Sequence, residues 1–372
     1  MKQAKYLQLA QKLTRQIQQG SLLVGQPLPS YLELKTRYQV SQSTVDKAYL
    51  ILEAEGLITR KVGSGIYVSK PPAKSATGFV GLVDASHDFN KNFQYYAQLV
   101  SGVRQQAKES GKCVIMIDDP DAFDRWDELE GVVLCEAGHY GFLQQEKASI
   151  FQLLPDSYPC VNTLFEISGV SSVVADDAAG MRLLMKHLVN LGHRRIGYLG
   201  RMHQEPMSRH PLVWQRFHAY KTAIKKYRLD YQDEWAFSPP LEFYRDYYLY
   251  GYEGMKHWLK NGWDDLGCTA LLAQNDLTAM GMIDALKEAG LDVPGDVSVA
   301  GFDDAEVFRL AQYQLTTVHV PLREIGEAAM KVLLQRLQNA DHDIETAVLP
   351  VRLINGRTTA AINAQQFMQA AV

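Results

Sequence analysis

The sequence predicts an α/β chain in which a small N-terminal domain of three helices and a β-hairpin is joined to a larger two-lobed domain with parallel sheets covered by helices. Three observations predict it. Apolar residues recur at helical spacing early in the chain, a proline-started linker follows at 71–77, and from residue 78 short apolar runs alternate with amphipathic segments. The length of 372 residues agrees with two or three domains.

Composition narrows the class of protein. Hydrophobic residues make up 47% of the chain and charged residues 22%, as in globular proteins. There is no apolar run near the roughly 18 residues of a membrane span and no signal-peptide pattern, so we expect a cytoplasmic location and no membrane partner. The cysteines are far apart and form no CxxC pair, which favours buried thiols and predicts neither a metal nor a cofactor. They are Cys113, Cys135, Cys160 and Cys268.

The net charge of −4 is unevenly distributed. Residues 1–70 carry ten lysines and arginines against four acidic residues, so they hold +6 and the rest of the chain holds −10. A basic module on an acidic body suggests a polyanion as the partner of the first part. An ordinary solvated basic surface would give the same count.

The first domain, residues 1–70, is predicted from helical spacing and turn residues. Apolar residues between positions 6 and 17 predict a first helix. Ser30 is placed to cap a short second helix and Ser41 to cap a third. Residues 57–69 contain two β-prone runs separated by a glycine-rich tip, which predicts a hairpin. Three helices followed by a hairpin make a winged helix-turn-helix.

The stretches GQPLPSYLEL and YQVSQSTVDKAYLILEAEGLITRKVGSGIYV closely resemble the GntR-type DNA-binding domain over nearly its whole length. The resemblance implies that this domain binds double-stranded operator DNA. In such domains the first turn of the recognition helix meets base edges, while helix N-termini and the wing meet the backbone. The residues expected to contact DNA are Ser30, Ser41, Gln42, Ser43, Thr44, Lys47, Arg60, Lys61, Gly63, Ser64 and Gly65.

Three positions depart from the family's pattern. The family usually has arginine where this chain has Leu32, and often has arginine at the positions of Gln42 and Asp46. Several customary phosphate or guanine contacts are therefore missing. The alternative interpretation of the first domain treats its serines only as helix caps and its glycines only as turn residues.

The larger domain, residues 78–372, alternates strand-like runs with helices, which predicts parallel sheets covered on both faces. The order of segments predicts an early lobe to about Asn162 and a later lobe from about Val173 to Asp303. A ligand is expected between the lobes, at the carboxyl ends of the strands.

Several stretches of this domain resemble the sensor domain of the LacI/GalR repressors, which is itself periplasmic-binding-protein-like. They are VVADDAAG, LVNLGHRRIGYLG, WQRFHAY, TALLAQNDLTAMGMIDALKEAGLDVPGDVSVAGFDDAEV, QLTTVHVPLREIGEAA and LINGRTT. The resemblance covers nearly all of residues 78–359 and implies a homodimer that binds a small-molecule effector, a sugar or sugar derivative. A GntR-type domain joined to a LacI-type sensor is the combination of the arabinose-responsive regulators.

Five residues are candidates for binding the effector. Arg216, Asn275 and Asp303 match positions that hydrogen-bond effector in the family, and Asp84 and Ser86 follow the first strand, where the family lines its cleft. A guanidinium, an amide and a carboxylate together suit sugar hydroxyls. The alternatives are a surface ion pair for Arg216, a helix N-cap for Asn275 and a solvated turn for Asp303.

One departure affects the early lobe. Between CVIMIDDP and ELEGVVLC the family usually has a full helix, but this chain has only residues 121–127. We therefore expect this helix to be lost. Since the face often contributes to the dimer contact, the geometry of the dimer is left open.

Two other classes of protein compete with a transcription repressor. A pyridoxal-phosphate enzyme would need a strand-end lysine, and neither this nor another catalytic motif occurs, so we expect no enzyme activity. A solute-binding protein would need export and would not need residues 1–70. Whether effector releases or tightens DNA is left open.

Overall fold

A computed structural model of the chain describes most of the sequence. The described residues are 4–18, 21–61, 65–69, 77–84, 93–135, 150–154, 158–201, 211–240, 246–304, 313–339 and 343–362. Most of the expected linker, residues 71–76, lies outside them. Within these ranges no helix combines the length and the apolar character that a bilayer span requires.

The chain divides into two compact units. The first comprises Met1–Thr77 with the short segments Trp126–Glu130 and Leu154–Tyr158. The second comprises Gly78–Arg125, Gly131–Leu153 and Pro159–Val372.

The first unit contains the predicted three helices and hairpin, which are confirmed. Its elements are α1 (Lys5–Gln18), α2 (Tyr31–Tyr38), α3 (Gln42–Ala54), β1 (Ile58–Lys61) and β2 (Gly65–Val68). The two strands pair antiparallel, with Lys61 opposite Gly65. Leu13, Val45 and Leu52 are fully buried between the helices, so the apolar stripes of α1 and α3 form one core.

The turn between α2 and α3 is short. Gln39 ends α2 in the left-handed conformation with φ 51°, and Ser41 begins α3 as its N-cap. The hydroxyl of Tyr49 donates to the carbonyl of Pro29 at 3.1 Å, which fixes the start of α2 against α3. These contacts hold α2 and α3 in the helix-turn-helix arrangement.

The first lobe of the second unit is built on a six-stranded parallel sheet. Its strands are β3 (Phe79–Asp84), β4 (Cys113–Ile117), β5 (Val132–Cys135), β6 (Cys160–Leu164), β7 (Ser171–Ala175) and β13 (Thr346–Leu349). They are arranged in the order β13-β7-β6-β5-β3-β4. The apolar runs predicted as strands are confirmed for β3 to β7. The central residues of β3, β5, β6 and β7 are buried, while the edge strands β4 and β13 are partly exposed.

Helices α4 (Phe93–Glu109) and α11 (Leu322–Gln338) pack against each other and against this sheet. Their backbones touch, because a Cβ at Gly102 would collide with the carbonyl of Arg323 and a Cβ at Gly326 with the carbonyl of Leu99. The short helix α5 (Ile150–Leu153) precedes β6.

The second lobe has a four-stranded parallel sheet in the order β11-β10-β8-β9. Its strands are β8 (Ile196–Leu199), β9 (Ala236–Phe237), β10 (Ala270–Ala273) and β11 (Ser298–Ala300). Its helices are α6 (Asp177–Asn190), α7 (Pro211–Tyr227), α8 (Tyr247–Lys260), α9 (Trp263–Leu266) and α10 (Asp276–Glu288). The glycines Gly251 and Gly281 let α8 and α10 pack backbone to backbone.

A two-stranded antiparallel ribbon joins the lobes. It consists of β12 (Thr317–His319) and β14 (Arg352–Ile354). β12 follows the second-lobe sheet in the chain, and its last residue, His319, forms a parallel bridge with Asp303. After β12 the chain continues directly into α11 of the first lobe. The chain therefore passes between the lobes at this strand.

The structure tests two predictions about the lobes. The expectation that the later lobe begins at about Val173 is wrong, because Ser171–Ala175 pairs with both β6 and β13 inside the first-lobe sheet. A buried strand carries no local mark of the sheet it joins. The predicted loss of a helix near 121–127 is confirmed, since between β4 and β5 the chain forms only a 3₁₀ turn at Trp126–Glu128.

Candidate functional site

The first turn of α3 exposes the side chains expected to meet base edges. Ser41 accepts a hydrogen bond from the backbone N–H of Thr44 at 3.3 Å, and its hydroxyl oxygen lies 3.1 Å from that of Ser43. Gln42, Ser43 and Lys47 are exposed, while Thr44 is half-buried. A capped helix end with exposed polar residues can present both N–H groups and side chains to a duplex.

The start of α2 is organised differently. Ser30 and Glu33 form a capping box, in which the backbone N–H of Ser30 donates to Glu33 Oε2 at 2.6 Å and Ser30 Oγ accepts from the N–H of Glu33. These hydrogen bonds lower the pKa of Glu33. The N–H of Ser30 is therefore already hydrogen-bonded within the chain, and the expected contact of Ser30 with DNA stays a prediction. Leu32, beside this cap, is 68% exposed.

The cations of this unit lie beside specific partners. Lys47 Nζ is 5.7 Å from the centroid of the Tyr6 ring, and Lys61 Nζ is 4.7 Å from that of Tyr67. Arg60 Nε forms an ion pair with Glu53 Oε2 at 3.0 Å. Each of these cations remains exposed.

The hairpin tip is described only in part. Gly65 has φ 119°, a conformation that favours glycine, and it is exposed at the start of β2. The expected contacts Gly63 and Ser64 lie outside the described residues.

In the second lobe, Arg216 on α7 lies at the centre of a buried polar cluster. Its Nε donates to Asp177 Oδ1 at 2.7 Å, its Nη1 to the carbonyl of Gln274 at 2.8 Å and its Nη2 to Asp303 Oδ1 at 2.9 Å. The ring of Phe302 covers one face of the guanidinium, with Cζ 3.9 Å from the ring centroid. The alternative of a surface ion pair is therefore wrong, because the pairs that Arg216 forms are buried.

Asp303 occupies a strained turn rather than a solvated one. Asp303 and Asp304 have φ of 120° and 52°, the left-handed region that non-glycine residues seldom adopt. The N–H of Asp303 donates to the carbonyl of Val318 at 2.9 Å, and its carbonyl accepts from Val320 at 3.1 Å. Strain of this kind persists where the surroundings over-determine the backbone, and it is concentrated at functional sites.

Asp276 supports this turn from the start of α10. Its carboxylate accepts from the backbone N–H of Asp304 at 2.7 Å and is hydrogen-bonded to the hydroxyl of Thr317. Burial raises the pKa of Asp276 well above its usual range, and the charge of Asp303 adds to the rise. A second contact holds the turn, since Asp304 Oδ2 lies 2.9 Å from His319 Nδ1.

Asn275 is the N-cap of α10. Its Oδ1 accepts from the backbone N–H of Thr278 at 2.9 Å, which is the helix-cap role that the sequence left open. The cap occupies the amide oxygen and orients the NH₂ group, and Asn275 lies between Gln274 and Asp276 of the cluster.

Of the two candidates from the first lobe, the structure describes Asp84. Asp84 is buried at the end of β3 and lines a cavity of about 940 Å³ between α4 and β4. Its lining includes Arg104 and Lys108 of α4. The expected role of Asp84 in effector binding stays a prediction. Ser86 lies outside the described residues.

Sequence reasoning missed two members of the cluster. Asp176 and Asp177 follow a buried strand, a position that reads as a strand-end turn, and only the fold shows that Asp177 meets Arg216. Asp276 was hidden in the same way beside Asn275. Among the described residues no group of three or more histidine, cysteine or acidic side chains has the arrangement of a metal site.

Comparison with known families follows the same division of the chain. Residues 5–68 match the model of the bacterial regulatory proteins of the gntR family, and residues 185–359 match that of the periplasmic binding protein-like domain. The chain joins a GntR helix-turn-helix domain to a periplasmic-binding-protein-like domain. The fold class predicted from the sequence is thereby confirmed.

Two transcriptional repressors are similar to this chain over much of its length. An arabinose metabolism transcriptional repressor of Geobacillus stearothermophilus is 26% identical over 361 residues, 91% of this chain and 93% of that protein. The ribose operon repressor of Escherichia coli K12 is 28% identical over 65% of this chain and 72% of its own length. These relatives are transcription regulators rather than enzymes.

Solved structures agree on the fold of the periplasmic-binding-protein-like domain. A LacI family transcriptional regulator from Enterococcus faecium with bound ribose has a TM-score of 0.61 at 22% identity, over 77% of this chain and all of that one. The lac repressor dimer bound to operator and an anti-inducer has a TM-score of 0.59 at 21% identity, over 76% of this chain and 94% of that one.

Proposed function

We propose that this chain is a transcription repressor whose affinity for a DNA operator is controlled by a sugar or sugar derivative bound in the second domain. The proposed DNA binding rests on the first turn of α3. It is capped by Ser41 and exposes Gln42 and Ser43 on the same small unit as the cations Arg60 and Lys61. Base edges are read by such polar side chains, and backbone phosphates are met by such cations.

The sensing half rests on the cluster around Arg216. A guanidinium and the carboxylate of Asp303 can together bind neighbouring hydroxyls, and the amide NH₂ of Asn275 can donate to a third oxygen. The names of the relatives point to the same ligand class, since two of them are repressors of arabinose metabolism and of the ribose operon. A neighbouring structure holds ribose.

The link between sensing and DNA binding starts at Asp303. Its backbone forms hydrogen bonds to Val318 and Val320, on the strand that leaves the second lobe for α11. A ligand that moves Asp303 therefore displaces this strand. Effector and operator then affect each other's affinity reciprocally, by about 1–3 kcal/mol in typical allosteric proteins. The protein works as a cytoplasmic homodimer on a two-fold operator.

The test uses the full-length protein. A randomised duplex pool is passed over it and the retained sequences define the operator, while a thermal-shift panel of sugars finds the ligand. We expect one sugar to raise the melting temperature and to change operator affinity by about fivefold or more. A protein that binds a sugar and selects no duplex would be a solute-binding protein, and a protein that selects a duplex without any sugar response would refute the sensing half.

A further inference from the structure

The hydroxyl group of Tyr198 is buried without a hydrogen bond. Tyr198 lies on β8 and its side chain is fully buried, and its oxygen has no hydrogen-bond partner among the residues that the structure describes. A buried polar group that stays unsatisfied costs free energy, and most such groups in folded proteins are paired. A phenyl ring would fill the same space without this cost.

The neighbouring Tyr220 shows how the same group is satisfied elsewhere in this core. Its ring centroid lies 5.4 Å from that of Tyr198, and it is fully buried on α7. Its hydroxyl donates to the carbonyl of Ile196 at 2.8 Å. Phe217, also on α7, packs against the Tyr198 ring with centroids 5.4 Å apart. The two tyrosines share one aromatic cluster, but the hydroxyl of Tyr220 stabilises the fold through a hydrogen bond.

The unsatisfied hydroxyl lies beside the cluster of Arg216. A Cβ at Gly200 would lie 3.0 Å from the Tyr198 hydroxyl oxygen and 2.7 Å from the Cβ of Gln274, so both groups lie against this glycine at the carboxyl end of β8. The carbonyl of Gln274 accepts from Arg216 Nη1, and Asn275 is the next residue. Burial raises the pKa of Tyr198, and the positive charge of Arg216 opposes this rise. The hydroxyl is therefore protonated and close to the groups proposed to bind the ligand.

We infer that Tyr198 is a specificity-determining residue of the effector site, whose hydroxyl forms its hydrogen bond with a hydroxyl oxygen of the bound sugar. This inference rests on the proposed sugar-sensing function and adds one residue to it. The oxygen is enclosed, so the bond forms as the lobe adjusts to its ligand. Part of the binding free energy then comes from satisfying a group that is unpaired beforehand, and an analogue that lacks the matching hydroxyl is rejected.

The experiment compares the full-length protein with Tyr198→Phe, which keeps the ring and removes only the oxygen. Without sugar, its midpoint of urea unfolding should be equal to or higher than that of the parent, because an unsatisfied polar group has been removed. Calorimetry then uses L-arabinose, D-ribose, D-fructose, D-glucose and D-galactose. The affinity for each sugar that binds the parent should fall about threefold to tenfold, as the loss of one neutral hydrogen bond predicts.

Deoxy sugars separate a bond to the ligand from an effect on the fold. Each monodeoxy analogue of the sugar that binds is titrated into the parent and into Tyr198→Phe. The analogue that lacks the paired hydroxyl should bind both proteins equally, whereas the other analogues should keep the difference between them. If the two proteins differed by the same factor for every analogue, the hydroxyl would act through the fold and the inference would be overturned.

Tyr220→Phe is the matched control. It removes a hydroxyl from the same aromatic cluster, but one that is bonded to Ile196. Its urea midpoint should fall below that of the parent, and its affinity for sugar should be unchanged. An equal loss of affinity in Tyr220→Phe and Tyr198→Phe would show a general loosening of the cluster and would overturn the role of Tyr198. A lowered urea midpoint in Tyr198→Phe would do the same, since its hydroxyl would then already stabilise the fold.

The inference and the proposed function can fail separately. If the parent binds a sugar and Tyr198→Phe binds it equally well, the sensing function stands and only the role of Tyr198 is refuted. If the parent binds none of the five sugars, the proposed sensing function is itself refuted, and the inference falls with it.

Discussion

The carboxylate of Asp276 accepts the backbone N–H of Asp304 at 2.7 Å, beneath a turn whose two residues both have positive φ. Gly301 also lies close to this carboxyl group, because a Cβ at Gly301 would collide with Asp276 Oδ1. The same carboxyl group is hydrogen-bonded to Thr317 on β12. Asp276 thus joins the turn that carries Asp303 to the strand that leaves the lobe.

We predict that Asp276→Asn is tolerated and that Asp276→Ala is not. Asparagine keeps an acceptor oxygen for the N–H of Asp304 and places an NH₂ group against Thr317 Oγ1, a hydroxyl that donates to Asp276 in the parent and can rotate to accept, so the free energy of unfolding should change by less than about 1 kcal/mol. Alanine leaves two buried partners unsatisfied and should cost about 2–4 kcal/mol. Urea unfolding of both variants at pH 7 is the measurement, and equal losses would contradict the prediction.

The stability of the parent protein and that of Asp276→Asn should depend differently on pH. Burial raises the pKa of Asp276 above its unfolded value of about 3.9, so the folded state binds more protons and its stability falls as the pH rises from about 4 towards the folded-state pKa. Asp276→Asn lacks this dependence, so its stability relative to the parent should increase over that interval. Parallel stability profiles from pH 4.5 to 8 would show that Asp276 ionises normally. The Asp304–His319 pair is common to both proteins.

Asp303→Asn should weaken sugar binding and leave operator affinity without sugar unchanged. The variant loses a charged acceptor for ligand hydroxyls, worth about 1.5–3 kcal/mol, which corresponds to a loss of one to two decades in affinity. Arg216 keeps its bond to Asp177, so the domain should still fold. Calorimetry with the sugar found in the thermal-shift panel measures the loss.

Arg216→Ala is a poorer test of the same site. It would leave Asp177 and Asp303 as buried carboxylates without a cation, and breaking such a pair costs about 3–5 kcal/mol. If that variant lost its response to ligand, the loss could come from unfolding of the domain as well as from the missing contact. An unchanged sugar titration in Asp303→Asn would instead refute the site directly.

Glu53→Gln should strengthen DNA binding by releasing Arg60. The ion pair between them is exposed and contributes at most about 1 kcal/mol to stability, so the fold should be unaffected. A released Arg60 can neutralise a phosphate and should steepen the log–log salt dependence by up to about 0.9. Salt titrations of operator affinity measure this slope.

The control for this prediction is Glu55→Gln. Glu55 ends α3, is exposed and forms no ion pair among the described residues, but its loss changes the net charge equally. If both variants changed the salt slope by the same amount, the effect would come from total charge and not from Arg60.

Leu32→Arg should add a phosphate contact beside the cap of α2. Leu32 is largely exposed, so the substitution costs little packing, and the salt slope should steepen by about 0.9 on operator and on scrambled duplex alike. Leu32→Gln removes the same leucine without adding charge and should leave the slope unchanged. A steeper slope for both variants would point to a change in the fold of α2.

Gln42→Ala should act on sequence preference rather than on charge. If Gln42 forms a bidentate contact with a base, its loss costs about 1–3 kcal/mol on the operator and leaves the salt slope unchanged. Binding to a selected operator and to a scrambled duplex separates the two cases. Equal losses on both would assign sequence reading to Ser43, Thr44 or Lys47.

Sequence patterns predicted the positions of helices and strands better than they predicted which strands pair. Helical spacing and capping serines located α2 and α3, and apolar runs located β3 to β8, β10 and β11 but not β9 or β13. The pairing of β7 with β13 could not be predicted, because the two strands are some 170 residues apart and neither carries a mark of its neighbour. Register and sheet membership depend on the whole fold.

The candidate site shows the same limit. Arg216 and Asp303 were predicted from a resemblance, and their contact is present, but the role of Asp177 depends on two elements that meet only in the folded chain. Asn275 was predicted with two alternatives, and its oxygen serves the helix cap. Capping is a local interaction and could be anticipated, whereas a third partner for an arginine is not local.

The close contact of α4 and α11 has a mechanical consequence. Because Gly102 and Gly326 leave no side chain between the two backbones, neither helix can slide along the other without a collision of main-chain atoms. We therefore expect the two helices to move together. α11 begins at Leu322, two residues after the Val320 N–H that is bonded to Asp303, so main-chain atoms connect the turn that carries Asp303 to both helices.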